Sequence, residues 1–146
     1  MDNQMKLEIP SKSQNEAFAR VVVAAFAAQA DPTIEEISDV KTAVSEAVTN
    51  AVIHGYENGF GTIIVTAALN DRRLQVSVTD YGVGIADLEQ AREPLYTSKP
   101  ELDRSGMGFT IMENFMDEFT LASEPGKGTT VTMVKVFSQI KTGRDA

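Results

Sequence analysis

Glu46 and Asn50 stand four residues apart in the run SEAVTNAVIHG, a spacing that puts a carboxylate and an amide on one face of a helix. Both then address the same object, and a magnesium-bound nucleotide is an object that can use both. Downstream come two glycine-punctuated loops, DYGVG at 80–84 and SGMG at 105–108. Asp80 follows an alternating run, so its carboxylate sits at a strand end. There it can accept a hydrogen bond from an exocyclic amine such as that of adenine, with Gly82 and Gly84 leaving room for a flat base. Ser105, Gly106 and Gly108 precede a helical pattern, and the free amides and positive dipole end of a helix start suit phosphate.

Each signal has an ordinary counterpart. Asp followed by Gly is a common turn, and Ser and Gly are common at helix starts. Gly126, Gly128, Thr129 and Thr130 read most simply as hairpin-turn residues, although a Thr entering a strand beside an Asp could fix a water against the same base. Lys99 and Arg104 are either surface charges or, in a mobile lid, neutralisers of phosphate. His54 at a helix C-terminus reads as a favourable partner of the helix dipole rather than a ligand.

The elements that must hold these residues follow from periodicity. Residues 5–9 read as a short strand. Ser13 with Glu16 forms a capping box that opens a helix to about residue 29, and Asp31-Pro32-Thr33 breaks it. Thr33 with Glu36 forms a second box. Ile37, Val40, Val44, Val48 and Ala51 then recur at helical spacing until His54-Gly55. At 100° per residue Glu46 lies about 200° from Val44, so the Glu46/Asn50 pair is off the apolar stripe. Residues 62–69 and 73–79 alternate with period two across an Asn70-Asp71 turn, an antiparallel hairpin. A short helical stretch at 87–92, an irregular segment at 93–105, a helix at 108–116 and a closing hairpin of 119–123 with 129–137 complete the chain, and the tail from Lys141 is polar. The predicted fold is α+β: a two-layer sandwich in which helices cover one face of a mixed, mostly antiparallel sheet, with the loops gathered at one rim.

With 146 residues and 42% hydrophobic content, the chain reads as a single domain over 1–146. A net charge of −8 argues against nucleic acid as the main partner and fits a basic or mixed-charge protein better. Without cysteine there is no disulfide framework or thiolate metal site. The longest apolar run, residues 21–28, is too short for a bilayer, and the expectation is a soluble, cytoplasmic protein with no membrane contact. That run is apolar on every face, which a two-layer sandwich covers on one side only. The uncovered face therefore predicts a homodimer.

The series E-x-x-x-N on a helix, D-x-G-x-G after a strand, G-x-G opening a helix and G-T-T before a strand resembles the GHKL superfamily, which includes gyrase B, the ninety-kilodalton heat-shock chaperones, histidine kinases and MutL. Through SEAVTNAVIHGY and PLYTSKPELDRSGMGFTIMENFMDE the chain resembles more closely the anti-sigma factor serine kinases of sporulating bacteria. The resemblance implies that Asn50 is the Mg²⁺ ligand, Glu46 the base and Asp80 the adenine reader within an ATP site. It also implies that Lys99, Arg104, Ser105, Gly106 and Gly108 lie on the phosphate side, and that Thr129 or Thr130 makes the water-mediated base contact. Tyr81 departs from many relatives, which carry a short polar residue there.

A serine hydroxyl must lose a proton to attack phosphate, whereas an imidazole need not, so the Glu46 carboxylate favours serine over histidine as acceptor. The only histidine is His54, and no helical hairpin carrying an acceptor His precedes it. The implied function is to sequester a sporulation sigma factor (sigma F) and to phosphorylate its anti-anti-sigma antagonist. The alternatives are an ATP-gated protein-binding module with negligible phosphotransfer and a detached histidine-kinase catalytic domain. Arg20 is either half of an exposed ion pair with Glu16 or an anchor for one of these partners.

Overall fold

The computed structural model describes residues 2–85 and 108–138. The stretches expected at 87–92 and 93–105 and the tail from residue 141 lie outside the described residues, as do Lys99, Arg104, Ser105 and Gly106. The elements run β1 (Asp2–Pro10), α1 (Asn15–Ala27) with a 3-10 turn Ala28–Ala30, and α2 (Ile34–Asn50) extended by a π-helical turn Ala51–Gly55. β2 (Thr62–Asn70), β3 (Arg73–Asp80), α3 (Gly108–Phe115), β4 (Glu118–Glu124) and β5 (Gly128–Val136) follow.

α2 begins where the second capping box predicts. Glu36 N donates to Thr33 Oγ1 (3.0 Å) and Thr33 N donates to Glu36 Oε1 (2.9 Å), satisfying two donors of the first turn. Glu36 Oε2 also accepts from Ser138 N at 2.8 Å, tying the end of the sheet to the start of α2. Burial pushes the Glu36 carboxyl up, but the bonds from Ser138 and Thr33 outweigh it and leave the group below its ordinary value. The first capping box does not form. Gln14, not Ser13, caps α1, with no side-chain bond, because the Glu16 carboxylate turns to Arg20 (3.1 Å) and to the Ser45 hydroxyl on α2, which donates at 2.6 Å.

The five strands pair in the order β1-β2-β3-β5-β4, and every pair is antiparallel. The sheet is therefore not mixed among the described strands: the β4–β5 hairpin folds back so that β5 enters beside β3 in the opposite direction. Asn70 pairs with Arg73, so the β2–β3 turn is Asp71-Arg72, one residue later than expected, with Asp71 taking the positive φ of 58°.

Alternation places Ile63, Val65, Ala67 and Leu69 of β2 and Leu74, Val76 and Val78 of β3 under the helices. They meet Val40, Ala43, Val44, Ala47 and Val48 of α2, Val23 of α1 and Met112 of α3. The opposite face carries paired hydroxyls, Thr66 on Ser77 and Thr79 on Thr130, beside apolar residues such as Ile64 and Val134. Lys135 of β5 donates to Asp39 of α2 (3.2 Å) and to the Phe115 carbonyl at the end of α3 (2.7 Å), fastening both helices to the sheet. α1 packs on α2 through one side only: Ala19 and Val23 are buried, while Phe18 and Val21 are 51% and 59% exposed.

Candidate functional site

The C-terminal end of α2, the end of β3, the start of β5 and the first turn of α3 enclose a recess. Asn50, Gly55, Asp80, Gly84, Phe109 and Thr129 line it over a floor that includes Val78 and Val131. Asp80 is the one charged or polar side chain fully buried among the described residues, at 5% exposure. Its Oδ1 accepts from Gly82 N at 2.9 Å. Burial pushes the carboxyl above its ordinary value, opposed by the backbone N–H groups of Gly82 and Thr129. A buried carboxylate at a strand end, above an apolar floor, is chemically suited to an amine donor on a flat ring.

Strand register separates the two threonines. Thr129 is paired with Asp80 and therefore shares its face. Thr130 is paired with Thr79 on the opposite face, where the two hydroxyls lie 3.1 Å apart. The structure thus brings Thr129 to the recess and keeps Thr130 away from it. Ser123, directly across from Thr129 on β4, holds the Thr129 hydroxyl at 2.7 Å and accepts from Ile85 N at 2.8 Å. Ser123 carries no local sign of this role, since only cross-strand register shows what a strand serine faces.

The Tyr81 ring leaves the recess clear. It is exposed and lines a shallow groove on the open face of the sheet with Thr79 and Thr130, while its backbone N–H donates to the Tyr56 hydroxyl at 2.7 Å.

The glycines of the DYGVG loop meet the protein's own backbone. A Cβ on Gly82 would lie 1.8 Å from the Gly55 carbonyl oxygen, and one on Gly84, which has φ +74°, would lie 2.1 Å from that of Glu124. Their smallness lets the loop seat against the π-helical turn and the β4–β5 turn, with Val83 N donating to Gly55 O (2.9 Å) and Gly126 N to Val83 O (2.7 Å). On the other wall, a Cβ on Gly108 would lie 2.8 Å from the Asn50 amide nitrogen, so the bare start of α3 packs on that amide.

Glu46 lies one turn before Asn50, half-buried, just outside the recess that the described residues form. Arg20 is remote from it, on the α1–α2 seam, where its Nη1 lies 3.1 Å from Glu16 and donates to the Ser45 hydroxyl at 3.3 Å. No cluster of three or more His, Asp or Glu among the described residues is arranged to hold a metal ion. Asn50 offers one hard oxygen at the recess wall. That donor set fits Mg²⁺, which takes one or two protein oxygens and completes its shell with phosphates and water.

The family model described as the histidine kinase-like ATPase domain matches residues 9–135. The anti-sigma F factor of Clostridium acetobutylicum is 57% identical over 141 residues, which cover 97% of this chain and 99% of that protein. The anti-sigma F factor of Bacillus licheniformis is 56% identical over 142 residues, 97% of each chain. That of Clostridium perfringens is 60% identical over 136 residues, 92% of this chain and 97% of the relative.

Proposed function

Because the chain belongs to the anti-sigma F factors within the histidine kinase-like ATPase family, we propose that it couples capture of a sporulation sigma factor, sigma F, to ATP-dependent phosphorylation of a serine on an anti-anti-sigma antagonist. The anti-sigma role and the ATP-binding domain follow from family membership. The kinase reaction, the antagonist, the dimer and a cytoplasmic location are our reading. Among the described residues no helix is long and apolar enough to cross a membrane.

The observation that carries the reading is the convergence of the buried Asp80 carboxylate, Thr129 and the Asn50 amide on one recess. Asp80 reads the adenine amine and Thr129 supports the base through a water. Asn50 is the chain's own ligand for Mg²⁺, which when bound neutralises charge on the β- and γ-phosphates. Gly108, at the start of α3, presents backbone to the phosphates, and the family resemblance assigns Lys99, Arg104, Ser105 and Gly106 to the same role. The partner's serine oxygen attacks the γ-phosphorus, its proton passes to the Glu46 carboxylate, and the bond to the bridging oxygen breaks to release ADP.

Incubation with γ-labelled ATP and the antagonist is expected to leave acid-stable label on a partner serine. Nucleotide binding without transfer would favour the ATP-gated binding module instead.

Phe18 and Val21 give α1 an exposed apolar side opposite its packing on α2, which supports a self-complementary dimer. A light-scattering mass equal to one chain at micromolar concentration would dismiss it. Arg20 is 37% exposed and already braced by Glu16 and Ser45, which reduces the ordering cost of using it as an anchor. Arg20→Glu is expected to leave nucleotide binding and the dimer intact while weakening capture of sigma F or of the antagonist. Unchanged capture of both would return it to an ordinary ion pair.

A further inference from the structure

Gly55 closes α2 in a π-helical turn, with Tyr56 N donating back to Ala51 O at 3.0 Å. Such wide turns recur at functional sites, and this one carries the Gly55 backbone up to Asp80. Its φ is outside the left-handed region, so the backbone does not demand glycine there. Alanine is the better helix former, so a helical glycine with ordinary φ marks a demand for space.

What occupies that space is the Asp80 carboxylate. A Cβ built on Gly55 would lie 2.6 Å from Asp80 Cγ and 2.7 Å from each carboxylate oxygen. The near-equal distances mean that the carboxylate lies flat against the bare Cα. Turning the carboxylate about χ2 would move the oxygens but leave Cγ in collision. Without a shift of the turn's backbone, relief comes from rotation about χ1, which breaks the 2.9 Å bond from Gly82 N and withdraws the carboxylate from the recess. Gly82 and Gly128 also crowd this corner, but a Cβ on either would strike backbone, at the Gly55 and Asp80 carbonyls respectively. At Gly55 the missing side chain is replaced by the carboxylate itself, as at Gly108 it is by the Asn50 amide on the other wall.

We propose that Gly55 is the positioning residue that fixes base specificity, by holding the Asp80 carboxylate in the one orientation that meets the exocyclic amine of adenine. The inference rests on Asp80 being the adenine reader.

The test compares binding of ADP with that of purine riboside diphosphate, which lacks only the 6-amino group, in the parent, Asp80→Ala and Gly55→Ala. The parent is expected to prefer ADP by about ten-fold or more, since one charge-assisted bond distinguishes the two. Asp80→Ala is expected to lose that preference. Gly55→Ala is expected to lose most of it too, with cooperative unfolding retained and affinity for the amine-free nucleotide close to the parent's, a pattern that general loosening of the site would not give. If Asp80→Ala loses the preference and Gly55→Ala keeps it, the role of Gly55 is refuted while the adenine reading stands. If Asp80→Ala keeps it, the adenine reading falls and the inference with it. Should Gly55→Ala fail to fold, the double variant Gly55→Ala/Asp80→Ala decides. Without the carboxylate the methyl has room, so the double variant is expected to fold like Asp80→Ala, and continued unfolding would overturn the proposal.

Discussion

Glu46→Gln is expected to bind ATP as the parent does and to transfer its phosphate about a hundred- to ten-thousand-fold more slowly, the range for loss of a general base. The substitution keeps shape and removes only the capacity to take a proton. Glu46 sits one helical turn before Asn50 and outside the recess, beside the residues expected to hold metal and phosphate rather than those that hold the base. Binding and chemistry should therefore separate: calorimetry with ADP should match the parent, while single-turnover transfer from labelled ATP to the antagonist collapses. Because the proton is lost from the acceptor and not from ATP, capture of sigma F should also persist. Transfer at the parental rate would mean that positioning alone supplies the catalysis and that Glu46 has another task.

The sequence was most informative where local chemistry decides the structure. α2 begins at its capping box and carries its apolar stripe as the spacing predicts, because first-turn bonds and helical periodicity are local. The same motif failed at Ser13 because Glu16 had other partners, Arg20 one turn on in α1 and Ser45 across on α2. The hairpin turn slipped by one residue since Asn and Asp both tolerate the left-handed conformation, and only the pairing of Asn70 with Arg73 fixes which one uses it.

Within the site, Asp80 was legible as a strand-end carboxylate, whereas the choice between Thr129 and Thr130 was not. Adjacent strand residues face opposite ways, and the register that settles the matter joins β3 to β5 across a long separation in sequence. In the sequence Gly82 and Gly84 suggest space for a base, but the space a Cβ would take is filled by carbonyls of Gly55 and Glu124. Gly55 in the sequence looks like a simple helix stop, since a collision with a side chain from another strand leaves no trace in one sequence.

Asp80→Asn is expected to weaken ADP binding about ten- to hundred-fold, the worth of about 1.5 to 3 kcal/mol for a hydrogen bond to a charged group. The fold should scarcely change, because two effects oppose each other. Asparagine removes the cost of burying a charge and weakens the bonds from the Gly82 and Thr129 N–H groups, so stability should stay within about 1 kcal/mol of the parent. The pH dependence gives an independent check. Burial raises the Asp80 carboxyl above its ordinary 3.8, so the folded state holds the proton more tightly than the unfolded one. Its contribution to stability is then greatest below 3.8 and declines as the pH rises through the raised value. Adenine affinity runs the other way, since the ionised carboxylate is the stronger acceptor for the amine. ADP binding by the parent should therefore fall on acidification with a midpoint above 3.8, and Asp80→Asn should lack that component. Calorimetric titrations of both proteins across the same pH range test this, and an Asp80→Asn variant that binds ADP as tightly as the parent at neutral pH would remove Asp80 from the base-reading role.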